Sequence, residues 1–488
     1  MVVAHPILTC AEAKDFEAAF FAGDEEREWA AMQRAGRAVA EAVLKDFLEI
    51  GGFPAAGRVL VLAGKGHNAG DALIAARRIR ERHPQACIEV RFVLGERALR
   101  PLAQRAWREL ATVATSVSAR SDDGYDLVLD GIFGYQFRAP LDPAVGALLK
   151  EVNGLPVRLR AAVDLPSGLG EPSAFRADFT YATGIVKSPV LTLPNAGRLR
   201  YLDLGFNLRS VNPVCHLISD KPDRVLTSDV LDELRALRSS RSDKRTYGHL
   251  FVVGGSRDYP GAVLMSVLAA LHSGAGLVTA FVPESLVAAF AARVPEAMWV
   301  GWPETPEGGL ALEGTHLLRE KISRASALLI GPGLGREPET LALAKDLVAQ
   351  PAVPLVIDAD ALQPDIVATG NAPRILTPHA GEWARIERTT LPPHAVTVLK
   401  GPVTRVLSGA TIYHSFFGGP VLARGGSGDL LAGLTAGLLA QTPADPTSAA
   451  TRGVVWHGMA ADELARTRGQ VAVTTTQLLD FLGVVLRE

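Results

Sequence analysis

The sequence predicts an α/β architecture with two doubly wound domains, and three observations carry the prediction. Short apolar runs that end in glycine-rich or acidic turns and then lead into helical segments recur along the whole chain. These runs are continuous rather than alternating, as strands covered on both faces require. The 488 residues exceed what one hydrophobic core organises, and domains of about 100 to 200 residues point to two large ones.

Composition narrows the function classes. A hydrophobic share of 48% with 21% charged residues belongs to a globular chain, and a net charge of −2 leaves no electrostatic footprint for nucleic acid or an anionic membrane. Any phosphate site is therefore local. Cys10, Cys87 and Cys215 are far apart, with no CxxC pair, so neither a disulfide framework nor a zinc site is expected, and a reducing, cytoplasmic compartment is. The first ten residues are apolar but lack the basic segment of a secretory signal. The stretch 262–282 is broken by His272 and by small and polar residues, so no bilayer span is expected.

Residues 11–47 read as helical, with apolar side chains recurring at spacings of three and four. The run RVLVLA (58–63) is a buried strand that passes into Gly64, Lys65, Gly66, His67, Asn68, Ala69, Gly70 and Asp71, with a helix over 72–82. Strand, glycine loop and helix form the phosphate-binding turn of a Rossmann-like sheet. Further strands are expected at 87–94, 126–130 and 160–163, and the last two end in Asp130 and Asp164, with Ser167 just beyond. Strand C-termini line one edge of a parallel sheet, so Asn68, Asp71, Asp130, Asp164 and Ser167 should converge on one crevice. On its own spacing Asp164 is a strand-end residue capping a turn, and Lys187 is a solvated surface lysine outside the site.

The runs GKGHNAGDA, DGIFG and VDLPSG, then Asp178, Phe179, Thr180 and Lys187 ahead of Leu202, Asp203, Leu204 and Gly205, resemble the epimerase domain that interconverts the R and S forms of hydrated NADH and NADPH (NADHX and NADPHX), over about residues 1–215. The resemblance implies that His67, Asn68, Ala69, Gly70 and Asp71, with Gly134, Tyr135, Gln136, Phe137, Arg138, Ala139 and Pro140, contact the hydrated nucleotide. It implies that Asp164 is the catalytic acid/base, and that Asn68, Asp130 and Ser167 hold a potassium ion (K+), which suits hard oxygen ligands. The family usually has Asn, Asn, Gly, Gly, Asp, Gly where this chain has His67, Asn68, Ala69, Gly70, Asp71, Ala72. A methyl at Ala69 takes room from an approaching phosphate and penalises a positive φ, so this departure predicts weakened or lost epimerisation.

Residues 207–243 are polar and proline-bearing, with a helix expected over 228–238, and the domains are placed at 1–218 and 222–488. Strands are expected at 248–253, 277–282, 327–330, 355–357, 374–376 and 395–399, each before a polar loop, with a small-residue helix at 263–273. Near the end, Arg424, Gly425, Gly426, Ser427, Gly428 and Asp429 precede a second small-residue helix. Glycines let backbone amides converge, and a helix N-terminus carries partial positive charge, so an anion should sit there. An aspartate opposes that anion, which makes a general base toward a hydroxyl a better role for Asp429 than phosphate ligation. The alternative from these residues alone is a capped helix start.

In order, GGSRDYPGA, GPGLG, DADAL, LTPHAGE, LKGPVT and GGSGD resemble the dehydratase of hydrated nicotinamide nucleotides, a ribokinase-like family, over about residues 222–488. The resemblance implies that Lys400, Gly401, Pro402, Val403 and Thr404 contact ADP or ATP, supplied with Mg2+, and that Gly428 cradles the transferring phosphoryl group. It also implies that Asp429 takes the proton from the ring hydroxyl and that Ala262, Gly335 and His379 contact the substrate. Phosphorylation then makes that oxygen a better leaving group, and elimination restores the double bond. His379 is otherwise a loop histidine bonded to Glu382. Asp358 and Asp360 either position Mg2+ through water or cap the next helix, the cap being the reading for Asp360. The whole resembles the family of bifunctional NAD(P)H-hydrate repair enzymes, which implies small-molecule substrates; no nucleic acid or membrane partner is expected, and homo-oligomerisation is open. Two readings stay beside it: a small-alcohol kinase using the same GxGD logic, and a dehydratase with a non-catalytic first half for binding or assembly.

Overall fold

The computed structural model describes residues 2–117, 124–206, 221–350 and 353–487. Cys215, Pro213 and the expected end of the first domain at 218 lie outside the described residues. Among the described residues, those of 5–225 with 465–470 form one compact unit, and those of 1–4, 226–464 and 471–488 form the other. No helix among the described residues is long and apolar enough to cross a membrane.

The first unit takes its elements in the order β1 (Ala4–Leu8), α1 (Cys10–Phe21), α2 (Glu25–Phe47), β2 (Arg58–Ala63), α3 (His67–Arg82), β3 (Cys87–Phe92), α4 (Pro101–Leu110), β4 (Ala114–Ser116), β5 (Tyr125–Gly131), α5 (Pro143–Asn153), β6 (Val157–Val163), β7 (Phe179–Thr183), β8 (Val186–Lys187) and β9 (Arg198–Leu202). The one helix expected over 11–47 is two. Ala22 and Gly23 turn left-handed, with φ of 52° and 77°, and end α1; the Asp24 side chain then caps α2 through the amides of Glu26 and Arg27.

Seven strands form an all-parallel sheet in the order β4, β3, β2, β5, β6, β7, β9. Side chains of β2 alternate between two cores. Val59, Val61 and Ala63 pack with α2, α3 and α4, whereas Leu60 and Leu62 pack with Val145, Leu149 and Val152 of α5. The strand order runs outward in both directions from the β2/β5 pair, so the sheet has its switch point there, and a crevice opens at the strand C-termini. The two loops at that point touch. A Cβ on Gly64, after β2, would overlap the carbonyl oxygen of Ile132, after β5.

The chain passes through β10 (Asp223–Leu226), most of which still belongs to the first unit, and the second unit follows with α6 (Asp232–Arg235), β11 (His249–Val253), α7 (Pro260–His272), β12 (Leu277–Pro283), α8 (Glu284–Arg293), β13 (Met298–Trp302), α9 (Thr315–Arg319), β14 (Ala327–Ile330), α10 (Pro338–Ala349), β15 (Leu355–Ile357), α11 (Pro364–Val367), β16 (Arg374–Leu376), α12 (Ala380–Ile386), β17 (Val396–Leu399), β18 (Thr404–Ser408), β19 (Thr411–Ser415), α13 (Ser427–Gln441), α14 (Pro446–Arg468) and α15 (Leu479–Val485). The helix expected over 228–238 shrinks to a 3-10 turn and the four-residue α6. Val230 and Leu231 are buried, but Leu237 finds nothing to pack against and is fully exposed.

The sheet of this unit runs β13, β12, β11, β14, β15, β16, β17 in parallel, and β18 and β19 add an antiparallel hairpin. Its switch point lies between β11 and β14, where the Gly255 amide donates to Pro332 O at 2.8 Å and the Gly331 amide to Val253 O at 3.2 Å. Phe251, Val253, Leu328 and Ile330 face a core shared with α9 to α12. Helices α7 and α13 cover the opposite face, and their small residues are needed there. A Cβ on Gly433 would overlap the Ser266 carbonyl, and one on Gly437 the Ser273 hydroxyl.

Candidate functional site

A cavity of about 440 Å³ opens at the β2/β5 switch point. His67, Asn68 and Asp71 line it from α3, Gly134, Tyr135, Gln136, Phe137, Arg138 and Pro140 from the loop after β5, and Asp164 from the end of β6. Lys65, Arg100 and Arg138 give one part of its wall positive charge beside the N-terminus of α3. Helix α3 starts at His67 rather than after Asp71, because Gly66 is its N-cap and accepts the amides of Ala69 and Gly70. Ala69 is therefore helical, has no positive φ, and buries its methyl in the core, as Ala72 does. A Cβ on Gly70 would meet the end of Met32. Ala69, Gly70 and Ala139 are not on the cavity wall, and the expected penalty at Ala69 does not arise.

Asp164 adopts φ 64°, a left-handed conformation that non-glycine residues keep only where their surroundings impose it. Its Oδ1 accepts from Lys187 Nζ at 2.7 Å. Lys187 is thus 2% exposed, not a surface lysine, and its ammonium lies 3.9 Å from Glu17 and 5.2 Å above the Tyr135 ring. Burial alone would lower the Lys187 ammonium, but Asp164 and then Glu17 hold it up. Burial pushes Glu17 up against the pull of Lys187, and the Tyr135 hydroxyl donates to it at 2.5 Å. Burial, then Asp164 and Glu17, holds the Asp71 carboxyl well above the usual range.

Glu17, Lys187, Lys65 and Arg100 are absent from the sequence-based site. Glu17 left one signal: it stands among Ala13, Phe16 and Phe20 on the buried side of α1, a charged group at helical spacing with apolar ones. Lys187 left only its place directly after a buried strand residue.

Beneath the cavity floor, Asp130 is fully buried and accepts from Ser167 N (2.7 Å), Ser167 Oγ (2.6 Å) and Ile132 N (3.2 Å). All three donors are neutral, and burial raises its carboxyl to about 6. Asn68 Nδ2 donates to Phe133 O at 2.9 Å, while its amide oxygen makes no hydrogen bond among the described residues. A buried carboxylate without a cationic partner, an unengaged amide oxygen and a hydroxyl suit one monovalent cation. Among the described residues, no group of three or more His, Cys, Asp or Glu side chains could hold a metal ion.

In the second unit the loops after successive strands meet the N-terminus of α13. Gly426, at φ 90°, is the N-cap, so Ser427, Gly428 and Asp429 form the first turn. Ala262 sits in the first turn of α7 against Gly333, and Gly335 lies near the Ser256 hydroxyl. Asp358 is buried and accepts from Thr377 Oγ1 (2.7 Å) and from Lys400 Nζ (3.1 Å). A Cβ on Gly428 would lie 3.1 Å from the same Lys400 Nζ. Burial, then the charge of Asp358, raises the Asp429 carboxyl to about 7 against the pull of Lys400. Gly401 and Pro402 are exposed in the turn from β17 to β18, with Val403 and Thr404 partly covered.

His379 caps α12: its Nδ1 accepts from Gly381 N (3.0 Å) and Glu382 N (3.3 Å), while Glu382 accepts from the His379 amide (2.8 Å). Asp360 does not cap a helix. It holds the glycine loop, accepting from Gly335 N at 3.2 Å and Arg336 Nε at 3.0 Å, because Ala359 turns left-handed (φ 50°) and takes it away from a cap position. His457, unremarked in the sequence, is buried in α14 and is driven by burial down to about 4, hence neutral. Asp358 is paired with Lys400 and Asp360 with Arg336.

Two family models match stretches of the chain. Residues 250–483 match the family model described as NAD(P)H-hydrate dehydratase, and residues 29–188 match that of the YjeF-related protein N-terminus. The Bifunctional NAD(P)H-hydrate repair enzyme Nnr of Moorella thermoacetica is 34% identical over 93% of this chain and 92% of its own length. That of Gloeobacter violaceus is 35% identical over 94% and 93%. The solved ADP/ATP-dependent NAD(P)H-hydrate dehydratase from Bacillus subtilis, co-crystallised with ATP/Mg2+, is 28% identical over 52% of this chain and 96% of that one, with a TM-score of 0.44. With near-complete coverage at this identity, the chain belongs to the family of bifunctional NAD(P)H-hydrate repair enzymes.

Proposed function

We propose that this protein returns hydrated NADH and NADPH to use through two activities: residues 1–218 invert the hydrated carbon between R and S, and residues 222–488 dehydrate the S form with consumption of ADP or ATP. The observation that carries the reading is Asp429. A carboxyl raised to about 7 in the first turn of α13, beside Lys400, is matched to taking a hydroxyl proton near neutral pH while a phosphoryl group is held at the helix N-terminus.

In the dehydratase, Asp429 accepts the ring hydroxyl's proton, the amides of the first turn of α13 receive the transferring phosphoryl group, and Lys400, held by Asp358, supplies positive charge beside it. Lys400 to Thr404 would face the nucleotide, and Ala262, Gly335 and His379 the substrate. Mg2+ would arrive on the nucleotide phosphates and screen their charge. In the epimerase, the basic wall of Lys65, Arg100 and Arg138 suits the diphosphate, which leaves the hydrated ring for Asp164, Lys187 and Tyr135. Potassium held by Asn68, Asp130 and Ser167 would supply the positive charge that Asp130 lacks. The free thiols of Cys10 and Cys87 support a reducing cytoplasmic setting.

The test incubates the protein with both hydrate epimers, Mg2+ and either nucleotide, following recovery of the reduced-nicotinamide absorbance faster than spontaneous epimer exchange. Full recovery supports two active halves. A plateau near half leaves only the dehydratase, with the first half a binding module. No recovery, with a phosphorylated alcohol formed from another substrate, replaces the reading by the kinase.

A further inference from the structure

Most acids around the first cavity already have partners: Asp164 is paired with Lys187, and Glu17 accepts from Tyr135. Asp71 is different. It lies one turn along α3 from Asn68, is 9% exposed, and its carboxyl makes no hydrogen bond with any described residue. It lines both the 440 Å³ cavity and an adjoining one of about 250 Å³, with His67, Tyr135, Gln136, Thr183 and Glu17 shared between them. A buried carboxyl left without a partner is costly, so a site that keeps one opening into a cavity has a use for it.

We propose that Asp71 is the acid that protonates the departing hydroxyl during epimerisation, working as one of a pair with Asp164; this rests on the epimerase reading above. Asp71 gives its proton to the oxygen on the hydrated carbon. The C–O bond breaks, its electron pair leaves with water, and the lone pair of the ring nitrogen forms a C=N bond, so the ring becomes a cation and Asp71 a carboxylate. Water then attacks the opposite face, the C=N electrons return to nitrogen, and the proton released by that water passes to Asp164. Exchange with solvent resets both acids, and inversion in the other direction runs with their roles exchanged. Asp164, Glu17 and Lys187 are the charges acting on Asp71, with Glu28 and His67 further round the adjoining cavity; burial first, then Asp164 and Glu17, push its carboxyl up, and Lys187 pulls it down. The Tyr135 ring, already under an ammonium, suits a transient ring cation.

The test follows inversion of the purified R hydrate by the full chain in H2-18O, separating epimers and weighing them, against an uncatalysed control. Inversion should carry oxygen-18 into the product. Asp71→Asn should lower kcat for inversion by about 100-fold or more with KM changed by less than about threefold, and Asp71→Glu should regain part of the loss. Inversion without oxygen-18 uptake overturns the proposal, as does an Asp71→Asn protein with kcat within about threefold of wild type. Should the Asn variant fail to fold, isotope uptake by the wild type and the rate of the Glu variant decide. A wild-type protein that does not interconvert R and S overturns the epimerase reading itself, so the two failures are distinguishable.

Discussion

Replacing Lys187 with methionine probes the charge balance of the first cavity most directly. The side chain is 2% exposed and its ammonium lies 2.7 Å from Asp164 and 3.9 Å from Glu17, with Asp71 also acting on it. Methionine keeps the length and removes the charge, leaving three carboxyls with no cation among them. Breaking such a buried pair from one side costs about 3–5 kcal/mol. At roughly 2–4 °C per kcal/mol for a unit of this size, the first unit should melt about 6 to 20 °C lower near pH 8. The sign of the pH dependence follows from linkage. Burial raises Glu17 and Asp71, and the variant removes the ammonium that holds them down, so stability is fully present below the unfolded value of about 4 and is lost as pH rises, by up to about 1.4 kcal/mol per pH unit for each group. The deficit against wild type should therefore be small near pH 4 and largest near pH 8. Calorimetry of the full chain measures it, with amide exchange in α3 and β6 assigning the transition. The double variant Lys187→Met/Asp164→Asn should recover most of the loss. A deficit below about 1 kcal/mol that is equal at pH 5 and pH 8 would refute the buried-pair reasoning.

Other perturbations give sharp outcomes. Asp429→Asn should reduce nucleotide-dependent dehydration by about 10² to 10⁴ while equilibrium dialysis shows ADP still bound; repair at the normal speed would end its role as base. Dehydration limited by that base should rise with pH through about 7, the value of the Asp429 carboxyl, and Lys400→Gln, by removing the charge that holds the carboxyl down, should move the limb upward. A rate that is flat across this range speaks against it. Potassium should raise the melting temperature of the first unit relative to tetramethylammonium, and Asp130→Asn should erase that difference. Gly70→Ala meets only the flexible end of Met32 and should cost under about 1 kcal/mol, whereas Gly64→Ala meets the Ile132 backbone and should cost about 1–3 kcal/mol or more in chemical denaturation; the reverse order would contradict the switch-point contact.

What the sequence disclosed was what local pattern determines. The strands β14, β15 and β16 stand where continuous apolar runs end in glycine, aspartate or threonine-proline turns, since burial on both faces permits no polar alternation. Helix starts were less visible. Neither Gly66 nor Gly426 offers a capping side chain, so α3 begins five residues before the expected 72, and Gly428 and Asp429 lie within the first turn of α13. The hairpin of β18 and β19 is only half covered, and its mixed TRVLS and TIYHS patterns gave no continuous run to read. Lys187 was hidden for a tertiary reason: its burial is set by α1 and by Asp164, which are distant in sequence, and no spacing rule reports a partner across that distance. Asp360 shows the same limit, for its bonds to the 335–336 loop outweigh the local capping pattern that its DADAL context suggests.

Both units bring a lysine against buried carboxyls, but they direct the lysine differently, and the chemistry follows. In the first unit Lys187 bonds the candidate acid/base itself, while Asp71, at the same cavity, stays without a hydrogen bond among the described residues, its carboxyl pushed up by burial. Epimerisation must give and take protons in both directions, and two carboxyls in unlike surroundings at one cavity can do so. In the second unit Lys400 bonds Asp358 instead, and burial, then the charge of Asp358, raises Asp429 to about 7. Phosphoryl transfer to a hydroxyl needs a base that is half ready at neutral pH and a cation that stays with the phosphate, which an ion pair between Lys400 and Asp429 would deny to both. The partner given to each lysine decides which reaction it serves.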